Sequence, residues 1–190
     1  MKPIKGFTLV ESIVAMVIIG LAMVVLISFL YPQVERSATP HYQTRAANLG
    51  QSLMSQILAR GFDQNSDFDG GAIRCGEFGT TCTAPEQLGA DKDQGEISPA
   101  QFNDVDDYIG CWYGGNASDC GSETTKNPLT NILGTNVAAN YRHFTVFIAV
   151  DYVNSAFQPV SAIMDMKRIE LTIDTGNYGR YTFVAYRGNY

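Results

Sequence analysis

The sequence predicts an α+β fold, a long N-terminal α-helix packed on a small antiparallel β-sheet, with a disulfide-bearing loop region lying between them in the chain. Three observations predict it. Residues 7–31 form an apolar run broken by one acid, Glu11. Past it, Ala46, Leu49, Leu53 and Ile57 recur at helical spacing, which marks an amphipathic helix with one face for a core. Residues 141–190 alternate apolar and polar side chains at a period of two, the mark of half-buried strands.

The chain has 190 residues with a 45% hydrophobic fraction, enough for one compact head plus an appendage. In chain order it divides into a leader (1–6), an apolar helix (7–31), an amphipathic continuation (32–61), a loop-rich cysteine region (62–140) and a β-meander (141–190). As a helix, the run from Phe7 to Tyr31 spans roughly 35 Å, sufficient to cross a bilayer core. Lys2 and Lys5 precede it, so the positive-inside tendency sets the N-terminus in the cytoplasm and the rest outside. A cleaved signal peptide is the competing assignment. The run is longer than an ordinary h-region, and no A-x-A site ends it.

Pro32 and Pro40 follow the run, and the amphipathic stripe then continues to Gly61, a glycine placed to cap a helix. Residues 62–140 are rich in Gly, Asp, Asn, Ser and Thr and show no sustained periodicity, so they read as loop. In the last third, Phe144, Val146, Ile148, Val150 and Tyr152 share one strand face, and Ile169, Leu171 and Ile173 share another. A turn at GNYG, Gly176 to Gly179, returns the chain as a third strand, RYTFVAYR.

Glu11 needs a reason, because one acid in a membrane helix costs about 2.5–3.5 kcal/mol on insertion scales. The residues around it are Lys5, Gly6, Phe7, Thr8, Leu9, Val10, Glu11 and Ser12: a basic leader, a Gly-Phe junction, an acid five positions into the product and an apolar run. This constellation resembles the type IV pilin and pseudopilin class of membrane-anchored filament subunits. The resemblance implies cleavage after Gly6 by a prepilin peptidase and N-methylation of the new N-terminus, Phe7. It further implies that Glu11 pairs with the α-amine of Phe7 on a neighbouring subunit, which offsets the cost of burying either charge and sets axial register. A shallow, interfacial Glu11 is the plainer alternative. Many pilins carry a proline at the twenty-second position after cleavage; this chain has Ser28 there, which shifts any kink to Pro32 and Pro40.

Beyond the N-terminus, the runs FDQNSDFDGGAIRCGE (Phe62 to Glu77), NDVDDYIGCW (Asn103 to Trp112) and AYRGNY (Ala185 to Tyr190) resemble minor pilins of the mannose-sensitive haemagglutinin (MSHA) pilus, the MshD type in particular. The implied partners are major and minor pilins, the prepilin peptidase and an inner-membrane assembly platform. The implied location is the bacterial inner membrane, single-pass with a periplasmic head, and then the pilus or cell surface. A surface-displayed adhesin and a minor pseudopilin of a type II secretion system share the same anchor, and genomic neighbours would discriminate among the three.

The formal charge is −6, and losing Lys2 and Lys5 leaves 11 basic against 19 acidic residues, a charge of −8. That balance disfavours a phosphate-backbone partner, so no direct nucleic-acid binding is expected. Four cysteines, Cys75, Cys82, Cys111 and Cys120, fall on the side predicted to be oxidising, which favours disulfides over thiols. Of three possible pairings, proximity favours Cys75 with Cys82 and Cys111 with Cys120. Zinc is disfavoured, since no C-x-x-C occurs and His41 and His143 lie far off.

Asp63, Asn65, Asp67 and Asp69 alternate ahead of Gly70, like the front half of a calcium loop. Counted from Asn65, the twelfth position is Gly76, with Glu77 one residue late, so the back half is missing and a solvated turn with Asx caps is the favoured reading of the run. Asp104, Asp106 and Asp107 form a second acidic knot suited to bracing a loop, with no partner His or nucleophile nearby. Trp112 and Tyr113 read as core aromatics. With no phosphate cradle, H-E-x-x-H or G-x-S-x-G, the sequence predicts no enzyme and no cofactor beyond the calcium candidate.

Overall fold

Thr8 starts the first element: the Glu11 N–H donates to Thr8 Oγ1 at 3.3 Å, which satisfies an N–H that the first helical turn leaves without a partner. Helix α1 then runs over Leu9–Leu58. The computed structural model describes residues 8–67 and 73–190, so the leader, the Gly6-Phe7 junction and Asp69 lie outside the described residues. The chain forms two compact units, residues 1–41 and 42–190.

Pro32 and Pro40 lie inside α1, which passes through both. An interior proline removes a hydrogen bond and costs about 3 kcal/mol, so the flanking helical turns must sustain the helix there. The predicted cap at Gly61 is corrected. α1 stops at Leu58, and Gly61 instead bridges Asp104, its N–H donating to Asn103 O at 3.0 Å and its carbonyl accepting from Val105 N at 3.1 Å. The glycine thus fastens the loop region to the end of the helix.

Five strands form one sheet: β1 Gly110–Tyr113, β2 Lys126–Pro128, β3 Thr145–Tyr152, β4 Met166–Asp174 and β5 Arg180–Gly188, in the order β2-β1-β3-β4-β5. The meander β3-β4-β5 is antiparallel as the alternation predicts, with Val146 opposite Ile173 and Ile148 opposite Leu171. The sheet is mixed, because the loop-rich middle adds two strands to the antiparallel meander. Residues 62–140 supply β1, antiparallel to β3, and β2, which pairs parallel to β1. A parallel return needs a long crossover, and here it carries a short 3-10 turn at Ala117–Cys120.

The core lies where the stripe of α1 meets the inner face of the sheet. Ala46, Leu49, Leu53 and Ile57 pack with Phe144, Val146, Ile148, Val150, Ile169, Leu171 and Ile173, all buried. Each fully buried Leu or Ile contributes about 1.5–3 kcal/mol relative to exposure. Gly50, which costs helix stability relative to alanine, is required here: a Cβ at that position would stand 2.6 Å from the Phe183 ring of β5. The middle region adds Phe102, Tyr108 and Trp112 to this core, and Trp112 Nε1 donates to Tyr108 O at 2.9 Å. Tyr113, at the end of β1, is only partly buried. Two disulfides, Cys75 to Cys82 and Cys111 to Cys120, close the neighbouring pairs; the second ties β1 to the turn in the crossover.

Candidate functional site

Two groups of residues carry the chemistry, one in each unit. In the first, Glu11 sits exposed in the opening turn of α1, where a carboxylate interacts favourably with the helix dipole. Around it the large side chains are open: Leu9 is 76% exposed, Ile18 60% and Tyr31 69%, and every large apolar side chain from Leu9 to Tyr31 is exposed. The helix is long and apolar enough to cross a membrane. A helix apolar on all sides requires lipid or other apolar helices around it. Gly6 and Phe7, the predicted cleavage and methylation positions, lie outside the described residues.

In the second unit the acids of the loop region converge on one lysine. Lys167, on β4, is fully buried, and its Nζ donates to Asp106 Oδ1 at 2.6 Å, to Phe62 O at 2.7 Å and to Asp63 Oδ2 at 3.4 Å. The Phe62 and Tyr152 rings lie 4.7 and 5.2 Å from the ammonium. Asp63 also accepts from Thr83 N at 2.8 Å and from Asn65 N at 3.0 Å, and Asp106 accepts from Gly89 N at 3.1 Å. Asp107 accepts from Asn103 N at 2.7 Å and Asp104 N at 3.1 Å. Three loop segments are thereby held to the sheet by charge-assisted bonds, the stronger kind.

This geometry bears on the calcium loop. Asp63 is buried and turned to Lys167, whereas Asn65 and Asp67 are exposed, so the alternation does not bring the three together as one outward ligand set. The amide of Asn65 donates to Asp63, the opposite of what a cation would ask of it. Asp63 does approach the sulfurs of Cys75 and Cys82, but these are joined in a disulfide, and metal binding by cysteine needs the thiolate. Asp104, Asp106 and Asp107 do brace the loop, and they do it buried. Lys167 escaped sequence reasoning although the signal was present: it continues the inward phase of Ile169, Leu171 and Ile173 by one step of two.

Burial, with Asp106 and Asp107 beside it, pushes the Asp104 carboxyl up to about 9, and burial pushes Asp107 up to about 7. An unfolded carboxylate titrates near 4, so between that value and the raised one the folded chain binds more protons than the unfolded chain. Stability from these groups is therefore present at acid pH and falls as pH rises, by up to about 1.4 kcal/mol per pH unit for each proton held only in the folded state. Urea unfolding of the full chain in detergent should give a lower stability at pH 7 than at pH 5. Asp104→Asn, which keeps the shape without the titration, should flatten that slope, and an unchanged slope would refute the assignment.

Residues 1–27 match the family model described as the prokaryotic N-terminal methylation motif. No curated protein and no solved structure matches the chain. The helix-on-sheet architecture with two disulfides is consistent with the α+β pilin fold. The matched residues take in the basic leader, the Gly6-Phe7 junction, Glu11 and most of the apolar run, and this type IV prepilin-like N-terminus supports the type IV pilin class for the chain.

Proposed function

We propose that this chain is a minor subunit of a type IV pilus of the MSHA kind, processed by prepilin peptidase and taking part in pilus initiation or assembly near the tip. The observation that carries it is the N-terminal methylation motif joined to a helix with every large apolar side chain from Leu9 to Tyr31 exposed. Such a surface serves twice. It holds the subunit in the inner membrane before assembly, N-terminus cytoplasmic and head periplasmic, and it packs against other pilin helices afterwards. The MSHA assignment rests on the runs around Cys75, Cys111 and Ala185 that resemble its MshD-type subunits. We assign no catalytic role to the acid knot, because Asp104, Asp106 and Asp107 are enclosed and already bonded within the head.

Mass spectrometry of membrane-extracted protein tests the processing step. The mature chain should lack residues 1–6 and begin at a methylated Phe7. Replacing Gly6 by leucine should abolish cleavage, since a side chain would obstruct an extended backbone lying close to the peptidase's catalytic groups. A chain that still begins at Met1 in cells with active peptidase would overturn the assignment. Sheared filaments from a strain lacking this subunit separate the remaining roles. Loss of pili indicates assembly, whereas normal pili that no longer adhere indicate an adhesin, and a secretion defect without a pilus defect indicates a pseudopilin.

A further inference from the structure

Lys167 and Asp106 meet in the geometry of two reactants. Nζ stands 2.6 Å from Asp106 Oδ1, and Lys167, Asp106, Asp104 and Asp63 are all closed to solvent. The pocket admits no outside substrate, so the chemistry open to it lies between its own side chains. An amine held against a carboxyl for the life of the fold has a very high effective concentration. The Phe62 and Tyr152 rings beside the ammonium keep out the water that would reverse a condensation. A buried ion pair also bears the desolvation of two charges, a cost that a neutral amide does not carry.

The groups around the pair are those that amide formation needs. Gly89 N donates to Asp106 Oδ2 at 3.1 Å, and that oxygen collects negative charge when an amine adds to the carboxyl carbon. Asp63 Oδ2, 3.4 Å from Nζ, is placed to take a proton from the ammonium and leave a nucleophilic amine. Asp104 is hydrogen-bonded to Asp106, and burial keeps its carboxyl protonated at neutral pH, so it offers an acid to the departing oxygen. The N–H that an amide retains has an acceptor waiting in Phe62 O, 2.7 Å from Nζ.

We propose that Lys167 and Asp106 condense into an intramolecular amide, with Asp104 as the acid, and so cross-link β4 to the loop region. The Nζ–Cγ bond forms and the Cγ–Oδ1 bond breaks. Two of the three ammonium protons leave with Oδ1 as water, by way of Asp63 and Asp104, which end in the protonation states in which they began. One positive and one negative charge vanish together, and no electron is exchanged. The ion pair is the reactant, and the link adds a covalent constraint to what that pair contributes. The step concerns the head alone, so its failure and a failure of the pilus assignment are distinguishable. The full chain, purified in detergent, is reduced, unfolded and weighed by mass spectrometry. It should be one water lighter than its processed sequence, and a digest should yield a branched peptide joining the stretches around Asp106 and Lys167. Lys167→Met and Asp106→Ala should both restore the full mass. Asp104→Asn keeps both reactants and the shape of the site, and should leave most of the chain unlinked while near-UV circular dichroism shows it folded. A wild-type chain of full mass, a water loss that survives in Lys167→Met, a branch at Asp63 in place of Asp106, or full linkage in Asp104→Asn would each overturn the proposal.

Discussion

Lys167→Met is expected to destabilise the head by about 3–5 kcal/mol, the cost of leaving buried charges without their counter-ion. The methionine fills the same space beside Phe62 and Tyr152, so the loss is electrostatic and not a cavity effect. What remains is two buried carboxylates, Asp63 and Asp106, in a pocket that also holds Asp104 and Asp107. Backbone donors at Thr83 and Gly89 still reach them but carry no full charge. The loop segments that meet at this lysine should loosen before the sheet does, so limited proteolysis should cut first within residues 62–107. Urea unfolding of the full chain in detergent measures the loss. Adding Asp63→Asn and Asp106→Asn to Lys167→Met should recover much of it, because removing all the charges is far less costly than removing one. A single variant within about 0.5 kcal/mol of the wild type would show that the pair contributes nothing net, the ordinary result for surface ion pairs.

That lysine also marks where sequence stops being legible. The stripe Ala46, Leu49, Leu53 and Ile57 and the alternation of β3 and β4 are local patterns, repeated every few residues and imposed by one buried face, so they can be read without the rest of the chain. β1 escapes because Gly110, Cys111 and Trp112 are all buried and show no alternation over four residues. β2 is three residues long and ends in proline. β1 is held by the edge of β3 and β2 by the edge of β1, tertiary causes that leave no periodic trace. The acids follow the same logic. Asp63 and Lys167 stand 104 residues apart, and Asp106 and Lys167 61 apart, so nothing local distinguishes buried counter-ions from calcium ligands or solvated turns. The neighbouring disulfides could be proposed from proximity alone, since short loops bring both cysteines together whatever the fold. The N-terminal segment is legible for the opposite reason: its motif is written in consecutive residues.

Glu11→Ala is expected to leave membrane insertion intact or improved, since it removes a costly acid from the apolar run. Entry into filaments should fall on the order of a hundred- to a few thousand-fold. A neighbour's Phe7 amine would then be buried without its counter-charge, a loss of about 3–5 kcal/mol, or roughly two to three and a half decades in an equilibrium. Glu11→Gln should fall between, because an amide carbonyl accepts a hydrogen bond from the amine without neutralising it. Co-purification with sheared pili, or with other minor pilins where this subunit is scarce, measures all three chains. The condition for the effect is present in the chain: Glu11 is exposed, and the cap at Thr8 uses its backbone N–H, not its carboxylate. Position in the filament follows from the same charge. A subunit that crowned the filament would have no neighbour above it for the acid to meet, so an assembly defect in Glu11→Ala would place this subunit beneath at least one other. Equal recovery of wild type, alanine and glutamine chains would instead make Glu11 a shallow interfacial acid, and the register of the helix would have to come from apolar packing alone.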